Sequence, residues 1–311
     1  MTTMAWRSVV TGHAADGTET FLGDEAIRVT REAPGFRAGR LLSVGSFPVS
    51  PAGGGPETGA PPLAPGGLTV DAVIMDPLAD AGPAETDRFH ASATLDLWTV
   101  VGGEVVVSFD AGDVALGPGE VLVQRGSRHR IRTVGDHPAR LVVARLSPDP
   151  AARPEAELTI RGAGGQAPRV RRVVSGADGE GRSRVDADGV PPAGFALGDV
   201  AMADLWQTGG RLGAVTQGGD AASFALEPLA GGVKVLGVDL GVGGGGGEAG
   251  WHKTATIDVD VIISGVIEMY LPGCEPVTLR AGDVLVQRAT NHRWRAIEPT
   301  RMMTVMVAAL A

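Results

Sequence analysis

The strongest constraint on the fold is an internal repeat at half the chain length. The string VLVQRGSRHRIR runs from Val121 to Arg132, and VLVQRATNHRWR runs from Val284 to Arg295, with eight of twelve positions identical. The likeness extends upstream. Residues 90–103, HASATLDLWTVVGG, match 252–265, HKTATIDVDVIISG; in each, a His is followed six residues on by an Asp and seven after that by a Gly. The leaders WRSVVTGHAADG (6–17) and VRRVVSGADGEG (170–181) also resemble one another. A repeat of this kind means two copies of one structural unit, so whatever fold one copy takes, the other takes too. The offset grows from 162 at His90/His252 to 163 at His129/His292, which places one extra residue in the second copy, most simply in a hairpin turn.

Within each copy, short Val, Ile and Leu runs alternate with Gly, Pro and Asp turns at a spacing of about ten residues, the signature of a β sandwich or barrel. Helical periodicity is weak. The expected fold class is all-β, with two tandem units, each a sandwich or a barrel. The expected units are 1–150 (barrel core about 68–146), a linker at 151–169, and 170–311 (barrel core about 232–310). Three stretches, 49–67, 161–169 and 241–250 (GVGGGGGEAG), are too rich in Gly and Pro to build a core. The third is expected to be a linker, or else a flap over a site.

Composition removes several function classes. A net charge of −9 and only two lysines, Lys234 and Lys253, argue against a nucleic-acid partner. No run of eighteen apolar residues is present, so no membrane partner is expected. The first ten residues lack the basic and apolar regions of a signal peptide, which makes a cytoplasmic protein the simple expectation. Cys274 is the sole cysteine, which rules out an intrachain disulfide.

Four of the six histidines occupy matching repeat positions, and each pair comes with an aspartate. His90, Asp96 and His129 in one copy, and His252, Asp258 and His292 in the other, have the donor types of a divalent transition-metal site for Fe, Mn, Zn or Ni. Strand alternation would turn His252, Thr254, Thr256, Asp258 and Asp260 to one face, unless a bulge or turn intervenes. The competing reading is a metal-free polar pocket, in which a buried carboxylate orients the imidazole.

These blocks resemble the two motifs of the cupin superfamily, G(X)5HXH(X)3–4E(X)6G and G(X)5PXG(X)2H(X)3N. His252, Asp258 and Gly265 match the first motif, and Gly282 and His292 the second; His90, Asp96, Gly103, Gly119 and His129 are the counterparts in the first copy. The resemblance implies a bicupin of two double-stranded β-helix barrels, similar to a bacterial group of cupin_2-type proteins. The departures are that Ser92 and Thr254 replace the second motif histidine, Asp replaces Glu, and Gln124 and Gln287 stand in place of proline. Bicupins and cupin dimers also make it an expectation that each leader packs on the other barrel or on a second subunit, with a homodimer as one partner.

The second copy is favoured as the active one. Two residues beyond the motif positions, the first copy has Trp98 and Ile131, which would plug its barrel, whereas the second has Asp260 and Trp294. The expected roles are a metal on His252, Asp258 and His292, acid–base work by Asp258, Asp260 and His292, and substrate contacts from Trp294, Trp251, Thr254 and Gln287. Arg293 and Arg295 would face away and make salt bridges. Three functions fit. The first is a metal-dependent enzyme on a small organic molecule (dioxygenase, isomerase, lyase or cyclase). The second is a non-catalytic binding or structural bicupin, and the third a metal-free cyclase or epimerase.

Overall fold

The computed structural model describes residues 3–45, 63–77, 88–152, 168–210, 212–221 and 223–309. Most of the expected loops at 49–67 and 161–169, and of the expected linker, lies outside the described residues. The fold is all-β as expected: the described residues contain no α-helix, and one short 3-10 turn runs from Gly247 to Gly250.

In the first barrel, β5 (Leu68–Met75), β6 (Leu95–Gly102), β9 (Val121–Arg125) and β11 (Ala139–Leu146) form the body of an eight-stranded sheet that starts from the edge strands β3 (Arg31–Ala33) and β4 (Phe36–Val44). A three-stranded sheet of β7 (Glu104–Phe109), β8 (Gly112–Leu116) and β10 (Arg130–Val134) completes it. The second barrel repeats this order. β14 (Gly194–Leu197), β15 (Val200–Gln207), β16 (Val233–Leu240), β17 (Thr256–Ser264), β20 (Val284–Arg288) and β22 (Thr300–Ala308) form the large sheet. β18 (Val266–Tyr270), β19 (Val277–Arg280) and β21 (Arg293–Ala296) form the small one.

Each large sheet is finished by the other copy's leader. β1 (Thr3–His13) runs parallel to β20 and carries β2 (Glu19–Arg28) to the edge, while β12 (Arg172–Ala177) runs parallel to β9 and carries β13 (Ser183–Gly189). The leader therefore packs on the other barrel, one of the two placements that the resemblance implied. Met4 and Trp6 of β1 are buried in the core shared by both barrels. Burial of two such side chains contributes about 3–6 kcal/mol, which helps a parallel pairing of three rungs to hold.

Strand composition follows from this arrangement. Alternate residues of β6 and β17 point to different cores: Leu95, Leu97, Ile257 and Val259 enter the core between the sheets, while Trp98 and Ile262 enter their own barrels. Strands buried on both faces need apolar side chains at successive positions, so β5 and β6 read as continuous runs rather than as clean alternation. Polar residues on inner faces are then conspicuous. The repeated glycines have a steric origin: Gly103 and Gly265 hold φ of 70° and 85°, and a Cβ on Gly265 would lie 2.2 Å from the Pro299 carbonyl oxygen.

Two ion pairs lie wholly inside this framework. Lys234 Nζ sits 2.7 Å from Asp204 Oδ2, and both side chains are fully buried. Arg172 of β12 pairs with buried Asp220 and donates to the Leu205 carbonyl of β15 at 2.9 Å, tying a leader strand to the second barrel's sheet.

Candidate functional site in the second barrel

His252 and His292 are brought together by the main chain. Their backbones exchange hydrogen bonds of 2.9 Å in an isolated antiparallel bridge, and their ring centroids are 4.3 Å apart at 55°. Each Nδ1 lies against a carbonyl two residues back, Gly250 O at 2.8 Å and Thr290 O at 2.9 Å, which favours the tautomer that protonates Nδ1 and leaves the Nε2 lone pair free. Burial, and next the neighbouring His252, push His292 down to about 4, while its bond to Thr290 opposes this; the ring is neutral at pH 7.

Gln287 explains a departure from the motif. Fully buried, its amide nitrogen donates to Thr290 O at 2.8 Å and lies 3.0 Å from His292 Nδ1. Gln124 braces His129 and Ser127 in the same way in the first barrel. Gln287 is therefore a brace behind the imidazole and does not line the cavity, which corrects its expected role as a substrate contact.

The cavity of the second barrel has a volume of about 400 Å³ and is lined by His252, Thr254, Asp258, Asp260, His292 and Trp294 among apolar side chains. Trp294 meets the His292 ring edge-on at 5.9 Å. Asp258 and Asp260 occupy successive inward positions on β17, flanking inter-barrel Val259. The Thr254 hydroxyl donates to Asp258 Oδ2 at 3.5 Å, and the Thr304 hydroxyl to Asp260 Oδ1 at 2.7 Å. Asp258 Oδ1 is buried without a hydrogen-bond partner. No Arg or Lys lines this cavity among the described residues. Burial therefore pushes Asp260 up to about 7, and it pushes Asp258 well above the usual carboxylate range, helped by the Asp260 charge. Both carboxyls thus hold a proton to higher pH than an exposed aspartate does.

The other expected site residues divide. Trp251 is absent from the cavity wall; its Nε1 donates to Glu248 at 3.2 Å, and Arg293 lies over its ring at 5.4 Å. Arg293 also covers Tyr270 at 3.9 Å, and Arg295 pairs with Glu268, so both face away from the cavity as expected. The glycine run 241–250 is not a linker. It pairs with β21 through Gly243 N to Ala296 O and Ala296 N to Gly244 O, and Gly245, Gly246 and Gly250 line the cavity.

Two corrections concern metal and access. Among the described residues, no group of three or more His, Cys, Asp or Glu side chains is arranged to hold a metal ion. The expected sets His252, Asp258, His292 and His90, Asp96, His129 thus bring their imidazoles together without gathering the carboxylate. Strand alternation does turn His252, Thr254 and Asp258, and in the first barrel His90, Ser92, Thr94 and Asp96, to one cavity wall, but a shared wall does not bring the carboxylate into a ligand set with the two imidazoles. The side chains present do not fit a three-residue ligand set. The first barrel is also not plugged: a cavity of about 550 Å³ opens among His90, Asp96, Trp98 and Ile131.

Several lining residues were not anticipated. Met302, Thr304 and Met306 alternate along β22 and could have been found by the same period-two argument applied to the last strand. Phe195 and Leu197 come from β14, and no local pattern announces that this strand reaches the mouth.

No family model matches the chain. It is 42% identical over 65 residues to the oryzines biosynthesis cluster protein J of Aspergillus oryzae, covering 21% of this chain and 36% of that protein, so the match spans about a third of that relative. It is 30% identical over 151 residues to the cupin-domain-containing oxidoreductase fogC of Aspergillus ruber, covering 45% of this chain and 72% of that protein. The chain belongs to the cupin-domain proteins. Among solved structures, a cupin 2 conserved barrel domain protein from Leptotrichia buccalis is similar over 90% of this chain and 92% of its own, at 10% identity and a TM-score of 0.46. The curated relatives named here are fungal, so they give no support to the expected bacterial grouping. Among the described residues of this cupin, no helix is long and apolar enough to cross a membrane.

Proposed function

We propose that the protein is an enzyme of small organic molecules and that its second barrel performs acid–base catalysis. The observation that carries this reading is the Asp258–Asp260 pair, buried without a cation on the wall of a cavity that also holds two imidazoles. Two carboxyls whose surroundings push their pKa values up can divide the work at neutral pH: one donates a proton and the other accepts one. In this reading Asp260, near 7, is the base, and Asp258 is the acid. Neutral His292, braced by Gln287, presents its Nε2 as a hydrogen-bond acceptor to the substrate's polar end. Trp294, Met302 and Met306 hold an apolar body. The reaction class is proton relocation: isomerisation, elimination or cyclisation.

Similarity to cupin-domain-containing oxidoreductases favours a second reading, oxidoreductase chemistry. One experiment separates the two. Purified wild-type protein, Asp258→Asn and Asp260→Asn are incubated in D2O with a small-molecule extract, with and without exhaustive chelation, and products are followed by mass spectrometry. The acid–base reading expects a deuterium-labelled product that survives chelation and disappears in both variants. Turnover that persists in both variants would overturn it. Turnover lost on chelation and restored by a transition metal would support the oxidoreductase reading instead.

A further inference from the structure

The two barrels share a fold and an imidazole pair, but their cavities differ in charge. His90 and His129 repeat the other pair closely, with ring centroids 4.4 Å apart at 54°. Each barrel also sets a tryptophan edge-on to its inner histidine at 5.9 Å, but from opposite walls. In the first barrel it is Trp98, from the strand position that Asp260 holds in the second; in the second it is Trp294, from the position that Ile131 holds in the first. The exchange removes one carboxyl from the first cavity.

A second exchange adds a cation. On the last strand, Arg145 pairs in register with Asp96, where Met306 pairs with Asp258. Arg145 lines the first cavity together with Arg88 and Arg31, and Asp96 is the only acidic residue on that wall among the described residues. Behind the wall, Arg145 Nη1 donates to Asp71 Oδ2 at 2.8 Å, while Arg40 Nε donates to Asp71 Oδ1, so one carboxylate serves two guanidiniums. Among the described residues lining the cavity, arginines outnumber carboxylates. Phe36, Phe89 and Trp98 supply flat apolar walls, and about 550 Å³ is room for a compact organic molecule.

We infer that the first barrel is a second ligand site, selective for a small organic carboxylate, with the anion against Arg145 and an apolar or aromatic body along Trp98 and Phe36. A guanidinium matches a carboxylate by shape as well as charge, through paired N–H donors. The site is independent of the chemistry in the second barrel, whose cavity offers an acidic pair and, among the described residues, no Arg or Lys, and so suits a different ligand.

The test is isothermal titration of the full-length protein with benzoate and phenylacetate, against neutral benzamide and cationic benzylamine. Benzoate or phenylacetate is expected to bind at least about tenfold more tightly than benzamide, the span of one charge-assisted hydrogen bond, and benzylamine not at all. Arg145→Met, which installs the second barrel's residue, is expected to weaken carboxylate binding about tenfold or more. Because Arg145 also holds Asp71, Ile131→Trp serves as an independent variant: it fills the cavity without altering charge and is expected to abolish binding. Asp260→Asn is expected to leave carboxylate affinity unchanged, which assigns the site to the first barrel. The inference is overturned if neither carboxylate binds at millimolar concentration, if benzamide binds equally well, or if Ile131→Trp binds as wild type does.

Discussion

Asp260→Asn is the perturbation with the most definite consequence. Folding raises this carboxyl from 3.8 to about 7, chiefly by burial. A carboxyl raised by folding holds its proton more tightly in the folded state, so its stabilising contribution is complete below the unfolded pKa and is lost as pH climbs through the folded one. At about 1.36 kcal/mol per pKa unit, the loss between acid and a pH above 7 comes to about 4 kcal/mol. Asn is neutral throughout and keeps an oxygen to accept the Thr304 hydroxyl, now 2.7 Å from Oδ1. Removing the Asp260 charge also relieves Asp258, whose own rise has that charge as its second cause, so both effects act in one direction. The assay is guanidinium unfolding of wild type and variant across a pH series. The difference between them isolates the pair, because the buried imidazoles are common to both proteins. The variant should match wild type in acid and become the more stable protein as pH rises from about 4 to 8, by up to about 4 kcal/mol. A difference that stays flat, or a variant that loses ground above neutrality, would refute the argument that burial without a cation governs this pair.

Other perturbations test the surrounding framework. Lys234→Met leaves Asp204 as an uncompensated buried charge and should cost about 3–5 kcal/mol by denaturant unfolding, much of it recovered by adding Asp204→Leu. Gly245→Ala places a Cβ 2.1 Å from the Trp294 carbonyl oxygen at a φ of 115°, so it should cost about 1–3 kcal/mol and displace the wall that carries Trp294, read by unfolding and by tryptophan fluorescence. His129 and His292 are held at about 4, below the 6.5 of the free ring. Their neutral burial stabilises the fold above about pH 6.5 and is lost as pH falls toward about 4, so His292→Gln and His129→Gln should each flatten that acid limb by about 3 kcal/mol.

Much of this was legible in the sequence because the repeat tests itself. One copy's strand pattern had to suit the other, so two all-β units with matching histidines followed from the repeat, while the barrels and the motif glycines followed from the resemblance to the cupin motifs. The inward placement of Asp258, Asp260 and Trp294 also followed, since period two holds within a regular strand. Elsewhere the same reasoning failed for identifiable causes. Alternation put His252, Thr254, Asp258 and Asp260 on one cavity wall, but a shared wall does not set the distances that a three-residue ligand set needs. Trp98 was read as a plug because a large side chain on an inner face fills space, yet it packs edge-on to His129 and leaves the rest of the barrel open. Gln287 faces the site by alternation, but its amide nitrogen donates to Thr290 and packs beside the His292 ring rather than entering the cavity. The Gly run looked like slack chain, whereas its glycines are needed because Trp294 and Gly250 approach too closely for any side chain.

The central claim, that Asp258 and Asp260 share a proton near neutral pH, is tested most directly by infrared difference spectroscopy of wild type against Asp258→Asn and Asp260→Asn across a pH series. The account predicts a protonated-carboxyl band in wild type at neutral pH that titrates near or above pH 7 and is diminished in either variant. Two carboxylates fully ionised at pH 6, with no such band, would contradict it.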